Sequence, residues 1–168
     1  MQNHFDLFGL TPRFSIEGEA LERSYREIQS KVHPDRFAHA GDAERRASLQ
    51  WTTRVNEAYR TLKDPVQRAR HILELHGVDV AFETNTAMPP EFLMQQMELR
   101  ETLEEAKDAT SLDTLRANLK QEKHSLEKAI AEAIDAKKDY RGAAGLVRKL
   151  QFLDRLDEEV DSAYEGIE

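Results

Sequence analysis

Apolar residues recur along this chain at helical spacing, and no segment shows the turn-bounded alternation of a half-buried strand. Leu21, Tyr25, Ile28 and Val32 are 4, 3 and 4 residues apart, which predicts a helix from about Glu17 with these side chains on one stripe. Arg23, Arg26 and Ser30 then face the other way, toward water or a partner. Ahead of it, Asn3 and Asp6 have the pattern of an N-cap, Phe5, Leu7, Phe8 and Leu10 supply apolar surface, and Gly9 stops a helix of one or two turns. A third helix is expected from about Asp42 to Leu62, burying Ala47, Trp51, Val55, Ala58 and Leu62. Asp64-Pro65 breaks it and opens a fourth, through Ala69, Ile72 and Leu73, that Gly77 stops.

Pro34 ends the second helix, because the residue before a proline is pushed out of the α region and proline has no N–H to donate. Two helices joined by roughly ten residues pack antiparallel, which leaves His33, Pro34 and Asp35 at the exposed tip of a hairpin. Residues 77–90, GVDVAFETNTAMPP, have no helical period and read as a linker. Three long patterns follow: about 90–107; about 112–135 with Leu112, Leu115, Leu119, Leu126, Ile130 and Ile134; and about 142–167 with Leu146, Leu150, Leu153, Val160 and Tyr164. The expectation is an all-α chain: a helical hairpin module over residues 1–76, a linker over 77–90 and a three-helix bundle over 91–168.

On the helix near 90–107, Phe92, Gln96, Leu99, Leu103 and Ala106 fall within about 40° of one direction and form its core stripe. Met94, Met97, Glu98, Glu101 and Glu105 lie on the far side, with Leu93 at the edge. Apolar side chains facing water beside a row of carboxylates are not explained by folding alone, and such patches commonly bind protein.

Composition narrows the chemistry. The chain is 39% hydrophobic, enough for a core, and carries a net charge of −8. Residues 1–76 hold 12 Lys and Arg against 11 Asp and Glu, while the remainder hold 12 against 21, so the acidity is almost wholly C-terminal. That balance argues against nucleic acid as the main partner. No apolar run approaches the roughly 18 residues of a membrane span, and MQNHFDLF lacks the features of a signal peptide, so a cytoplasmic location is expected. Without cysteine there is no thiolate nucleophile and no thiolate ligand for zinc or an iron-sulfur cluster. By themselves His33 and Asp35 are consistent with two metal ligands, half of an acid/base pair, or a rigid docking point.

FDLFGL, KVHPDRF and NEAYRTLKDPVQRARHIL, in that order, resemble the landmarks of the J-domain, through which co-chaperones activate DnaK-type ATPases. EFLMQQMELRETLEE and VRKLQFLDRLDEEV resemble the C-terminal bundle of the HscB family, the J-proteins of iron-sulfur cluster assembly, so the likeness spans nearly the whole chain. The resemblance implies two partners, an HscA-like DnaK-type chaperone and an IscU-like scaffold protein, with no ATP hydrolysis by the chain itself; neither a membrane nor a cofactor is expected. It implies chaperone contacts at His33, Pro34, Asp35, Arg23 and Arg26. Scaffold contacts are implied at Leu93, Met94, Met97, Glu98, Glu101, Glu105 and Phe152, the last placed about 110° off the core stripe of its helix. One departure stands out: Arg23, Arg26 and Lys31 share their helix with Glu17, Glu19, Glu22 and Glu27, so its face is less basic than in many J-domains. Two other readings are an adaptor without a chaperone link and a metallohydrolase using His33, Asp35 and His39. For the latter, His71, His76 and His124 show no completing spacing.

Overall fold

The computed structural model describes residues 3–80 and 89–167, and among them every regular element is helical. Residues 81–88, most of the expected linker, lie outside the described residues. The chain divides into two compact units, Met1–Ile72 and Leu73–Glu168.

In the first unit, α1 (His4–Leu7) is closed by a capping box: Asn3 Oδ1 accepts the Asp6 N–H at 2.8 Å and Asp6 Oδ2 accepts the Asn3 N–H at 3.2 Å. Gly9 takes the left-handed conformation at φ 67° that ends the turn, and Phe5 is fully buried. α2 (Gly18–Val32) and α3 (Asp42–Lys63) form the hairpin. Tyr25 donates to Asn56 at 2.7 Å and stacks on Tyr59, while Val32 meets Ser48 and Thr52, so the pairs run in opposite directions and the helices are antiparallel. Val55, Ala58 and Leu62 are buried as the spacing predicts. Ala47 and Trp51 are not: both are exposed, and Ser48 takes the inward position. The reason is local chemistry. Where α2 ends its last carbonyl lacks a helical partner, so hydroxyls rather than an indole face it.

α4 (Pro65–Leu75) opens at Asp64, whose carboxylate accepts the Gln67 N–H at 3.0 Å. Arg68 donates to the carbonyls of Phe14 at 2.7 Å and Leu62 at 2.8 Å, pinning the segment before α2 to the α3–α4 corner. His71 Nε2 accepts the His4 N–H at 3.2 Å, and the two rings stack. Burial, reinforced by the neighbouring His4, lowers the His71 pKa from 6.5 to about 4. Folding therefore favours the neutral ring, so this contribution is complete above pH 6.5 and lost as pH falls through about 4. The full shift corresponds to about 3 kcal/mol, and partial solvent access reduces this to about 1–2 kcal/mol. Denaturant unfolding at pH 7 and pH 4.5 should show that loss in the native chain and a smaller one in His71→Gln.

The second unit contains α5 (Pro90–Glu105), α6 (Ala109–Ala131) and α7 (Tyr140–Ile167). Its core joins Phe92 of α5, Leu112, Leu115 and Leu119 of α6, and Leu153, Leu156 and Val160 of α7. A line of ion pairs seals α6 to α7. Lys123 lies 3.0 Å from both Asp154 and Asp157, and Arg116 bonds to Asp161. Burial pulls the Lys123 pKa down, but the hydrogen bonds to Asp154 and Asp157 outweigh it and hold the group above its usual value.

The α-helical period does not persist to residue 135: Glu132–Ala136 form a π-turn, with the Lys137 N–H donating to the Glu132 carbonyl at 2.9 Å. The extra residue keeps Ala133 and Ile134 buried before Lys138, at φ 55°, reverses the chain. Asp139 caps α7 through the Gly142 N–H at 3.0 Å, and a Cβ on residue 142 would lie 2.2 Å from Asp139 Oδ2. Gly145 has no such neighbour within 4 Å. Gly145→Ala should therefore add about 0.5–1 kcal/mol of stability, while Gly142→Ala should give none because it displaces the cap. Thermal unfolding of the two variants checks the contrast.

Candidate functional site

Two surfaces carry the candidate residues, one in each unit. The first is the hairpin tip. His33, at φ −58° and ψ 136°, has the extended backbone that the following proline imposes, and Pro34–Phe37 form a single 3-10 turn. Within it, His33 Nδ1 accepts the Asp35 N–H at 3.2 Å, and the Arg36 N–H donates to the His33 carbonyl at 3.0 Å. Because Nδ1 is an acceptor, the neutral ring carries its proton on Nε2. The Asp35 carboxylate lies 3.6 Å from Nδ1, too far for a hydrogen bond, and its side chain is 94% exposed. Both of its oxygens thus remain available to an incoming donor.

The tip is held from below. Ser48 Oγ and Thr52 Oγ1 donate to the Val32 carbonyl at 2.6 and 3.2 Å, fixing the last residue before the tripeptide. Sequence reasoning missed both hydroxyls. Their signal was a Ser and a Thr four apart in α3, on the residues next to the assumed stripe. Arg23 and Arg26 are exposed on α2 as expected. Arg26 pairs with Glu22 at 2.7 Å and Lys31 with Glu27 at 3.6 Å, pairs weak enough for a docking partner to replace.

The second surface is the outer side of α5. Phe92 is buried, Leu99, Leu103 and Ala106 pack against the core, and Gln96 is half-buried, as the wheel predicts. Leu93, Met94 and Met97 are 46%, 61% and 65% exposed, beside the exposed Glu98, Glu101 and Glu105. α5 is clamped by Gln95 donating to Glu122 at 3.1 Å and Arg100 donating to Glu159 at 3.1 Å. Phe152 departs from the placement that the helical wheel predicts. It does not stand off the core stripe but belongs to the core, 9% exposed, edge-on to Phe92 at 5.8 Å and covered by the Arg100 guanidinium. The breadth of the core explains this, since α7 is flanked by both α5 and α6 and buries more than one stripe.

Among the described residues no three His, Cys, Asp or Glu side chains are grouped to hold a metal ion, and no helix is long and apolar enough to cross a membrane.

An all-helical hairpin that displays His-Pro-Asp at its tip, followed by a helical bundle, has the organisation of a J-type co-chaperone. Residues 88–161 match the family model described as the HSCB C-terminal oligomerisation domain. The co-chaperone protein HscB homolog of Azoarcus sp. (strain BH72) is 49% identical over 170 aligned residues, covering 99% of this chain and 96% of that protein. Among solved structures, the chaperone HscB from Vibrio cholerae is similar with a TM-score of 0.88 at 33% identity, covering 99% of this chain and 100% of that one. The human co-chaperone protein HscB gives a TM-score of 0.93 at 26% identity, covering 96% of this chain and 82% of that one. The chain belongs to the HscB family, co-chaperones of iron-sulfur cluster assembly.

Proposed function

We propose that the chain brings an IscU-like iron-sulfur scaffold protein to an HscA-like, DnaK-type chaperone and stimulates ATP hydrolysis there. Residues 1–76 would face the chaperone and residues 91–168 the scaffold. The observation that carries this reading is the tip: Asp35 is almost fully exposed yet sits on a turn fixed by Pro34, the His33–Asp35 bond and the two hydroxyls beneath Val32. A carboxylate pre-organised in this way can accept a paired bond from an arginine with little entropy left to lose. His33 Nε2–H offers a donor beside it. Hydrolysis takes place in the partner, and the chain contributes the contact that triggers it.

The α5 face supports the scaffold half. Exposed methionines adapt to an apolar partner surface, and the adjoining carboxylates favour one with basic residues. The test is the steady-state ATPase of the chaperone, with scaffold present, measured with and without this chain. A rise with the chain is expected; an unchanged rate would leave only an adaptor. A second reading, self-association through the same face, draws on the oligomerisation named in the family description and on the exposure of Leu93, Met94 and Met97. Light scattering across a concentration series decides it, since self-association predicts a mass that grows with concentration.

A further inference from the structure

Resting on the reading of the α5 face as the scaffold-docking surface, we propose that Met94 and Met97 are an oxidation site that switches docking off. A hydroperoxide converts their thioethers to sulfoxides, and the oxidised face no longer holds the scaffold.

With no cysteine and four methionines, thioethers are the only sulfur in the chain. Met94 and Met97 are the most exposed large hydrophobic side chains among the described residues, three residues apart on one side of α5. Exposure governs how readily a thioether is oxidised, so both are open to a small oxidant without unfolding. In the step itself, a sulfur lone pair attacks one oxygen of the peroxide. The S–O bond forms, the O–O bond breaks, and the proton of the attacked oxygen passes to the second oxygen, which leaves as water, or as an alcohol for an organic hydroperoxide. Sulfur gives up two electrons and the peroxide takes them, so no further reductant or residue is required.

The surroundings make the product unwelcome in an interface. A sulfoxide oxygen is a strong acceptor that must find a donor when a partner covers it. Glu98 and Glu101 beside it are acceptors. The neighbouring donors on α5 are directed away from this face, Gln95 bonding to Glu122 of α6 and Arg100 to Glu159 of α7. Because the core side of α5 is carried by Phe92, Leu99 and Leu103, oxidation on the opposite side should leave the bundle folded.

The test uses the full chain and the double variant Met94→Leu, Met97→Leu, each treated with hydrogen peroxide and freed of it before scaffold is added. Sulfoxides are mapped by mass spectrometry, binding is measured by calorimetry, and each protein is compared only with its own untreated sample. Wild type should gain oxygen at Met94 and Met97, lose at least about tenfold in affinity with an unchanged circular dichroism spectrum, and recover after treatment with the two methionine sulfoxide reductases, one for each sulfoxide epimer, and a thiol reductant. The variant should show no change on treatment, although it retains Met1 and Met88. Undiminished binding by doubly oxidised wild type would overturn the switch. So would oxidation that bypasses Met94 and Met97, or an equal loss in the variant. If untreated wild type fails to bind scaffold at all, the docking reading fails first and the switch with it.

Discussion

Replacing Leu93 and Met97 together by alanine is expected to weaken binding of an IscU-like scaffold about a hundredfold while leaving the helical spectrum unchanged. Each truncation removes an apolar anchor from the middle of an exposed patch, and anchors of this kind commonly account for about 1–2 kcal/mol apiece in an interface. Neither side chain belongs to the core. Leu93 and Met97 are 46% and 65% exposed, whereas Phe92, one residue away from Leu93, is 3% exposed. Phe92→Ala is the contrast. It should cost about 3–5 kcal/mol of stability by opening a cavity beside Phe152, so that binding and folding fall together. Calorimetric titration with parallel circular dichroism separates the two cases. Undiminished binding by the double variant would mean that the scaffold uses another face.

The second large effect is expected at the tip. Asp35→Asn keeps the shape of the side chain and the backbone N–H that bonds to His33 Nδ1, but removes the charge and one acceptor. If an arginine of the chaperone is bound in a paired fashion, losing one half of a charged contact costs about 2–5 kcal/mol at the interface, enough to bring stimulation close to the basal ATPase rate. The folded chain should change little in stability, because the carboxylate is 94% exposed and lies 3.6 Å from His33 Nδ1, beyond hydrogen-bond distance. Unfolding curves that superimpose, together with an ATPase rate near basal, are the expected pair of results.

Much of this could be seen in the sequence, for reasons tied to particular residues. Helical stripes such as Leu112, Leu115 and Leu119 are repeated often enough to fix both the fold class and the inward face. Pro34 and Gly9 act through their own backbone chemistry and need no tertiary context. The split of α5 between Phe92 and the Met94–Met97 side was equally legible, because Phe92, Leu99 and Leu103 keep one helical stripe while Met94 and Met97 fall on the opposite side of it. What failed were positions decided by neighbours distant in sequence. Trp51 looked like core until the free carbonyl of Val32 called for Ser48 and Thr52 in its place. Phe152 looked peripheral until α5 packed across it. The π-turn at Glu132–Ala136 and the ion pairs of Lys123 and Arg116 depend on how α6 meets α7, which no periodicity within one helix reports.

The most direct measurement is the steady-state ATPase of an HscA-like chaperone with scaffold present, compared for the wild-type chain and His33→Gln. Glutamine cannot reproduce the imidazole that accepts the Asp35 N–H through Nδ1 and presents Nε2–H outward. Clear stimulation by wild type and a rate near basal with His33→Gln are expected, at equal helicity and equal scaffold affinity. Equal stimulation by the two proteins would rule out the hairpin tip as the trigger.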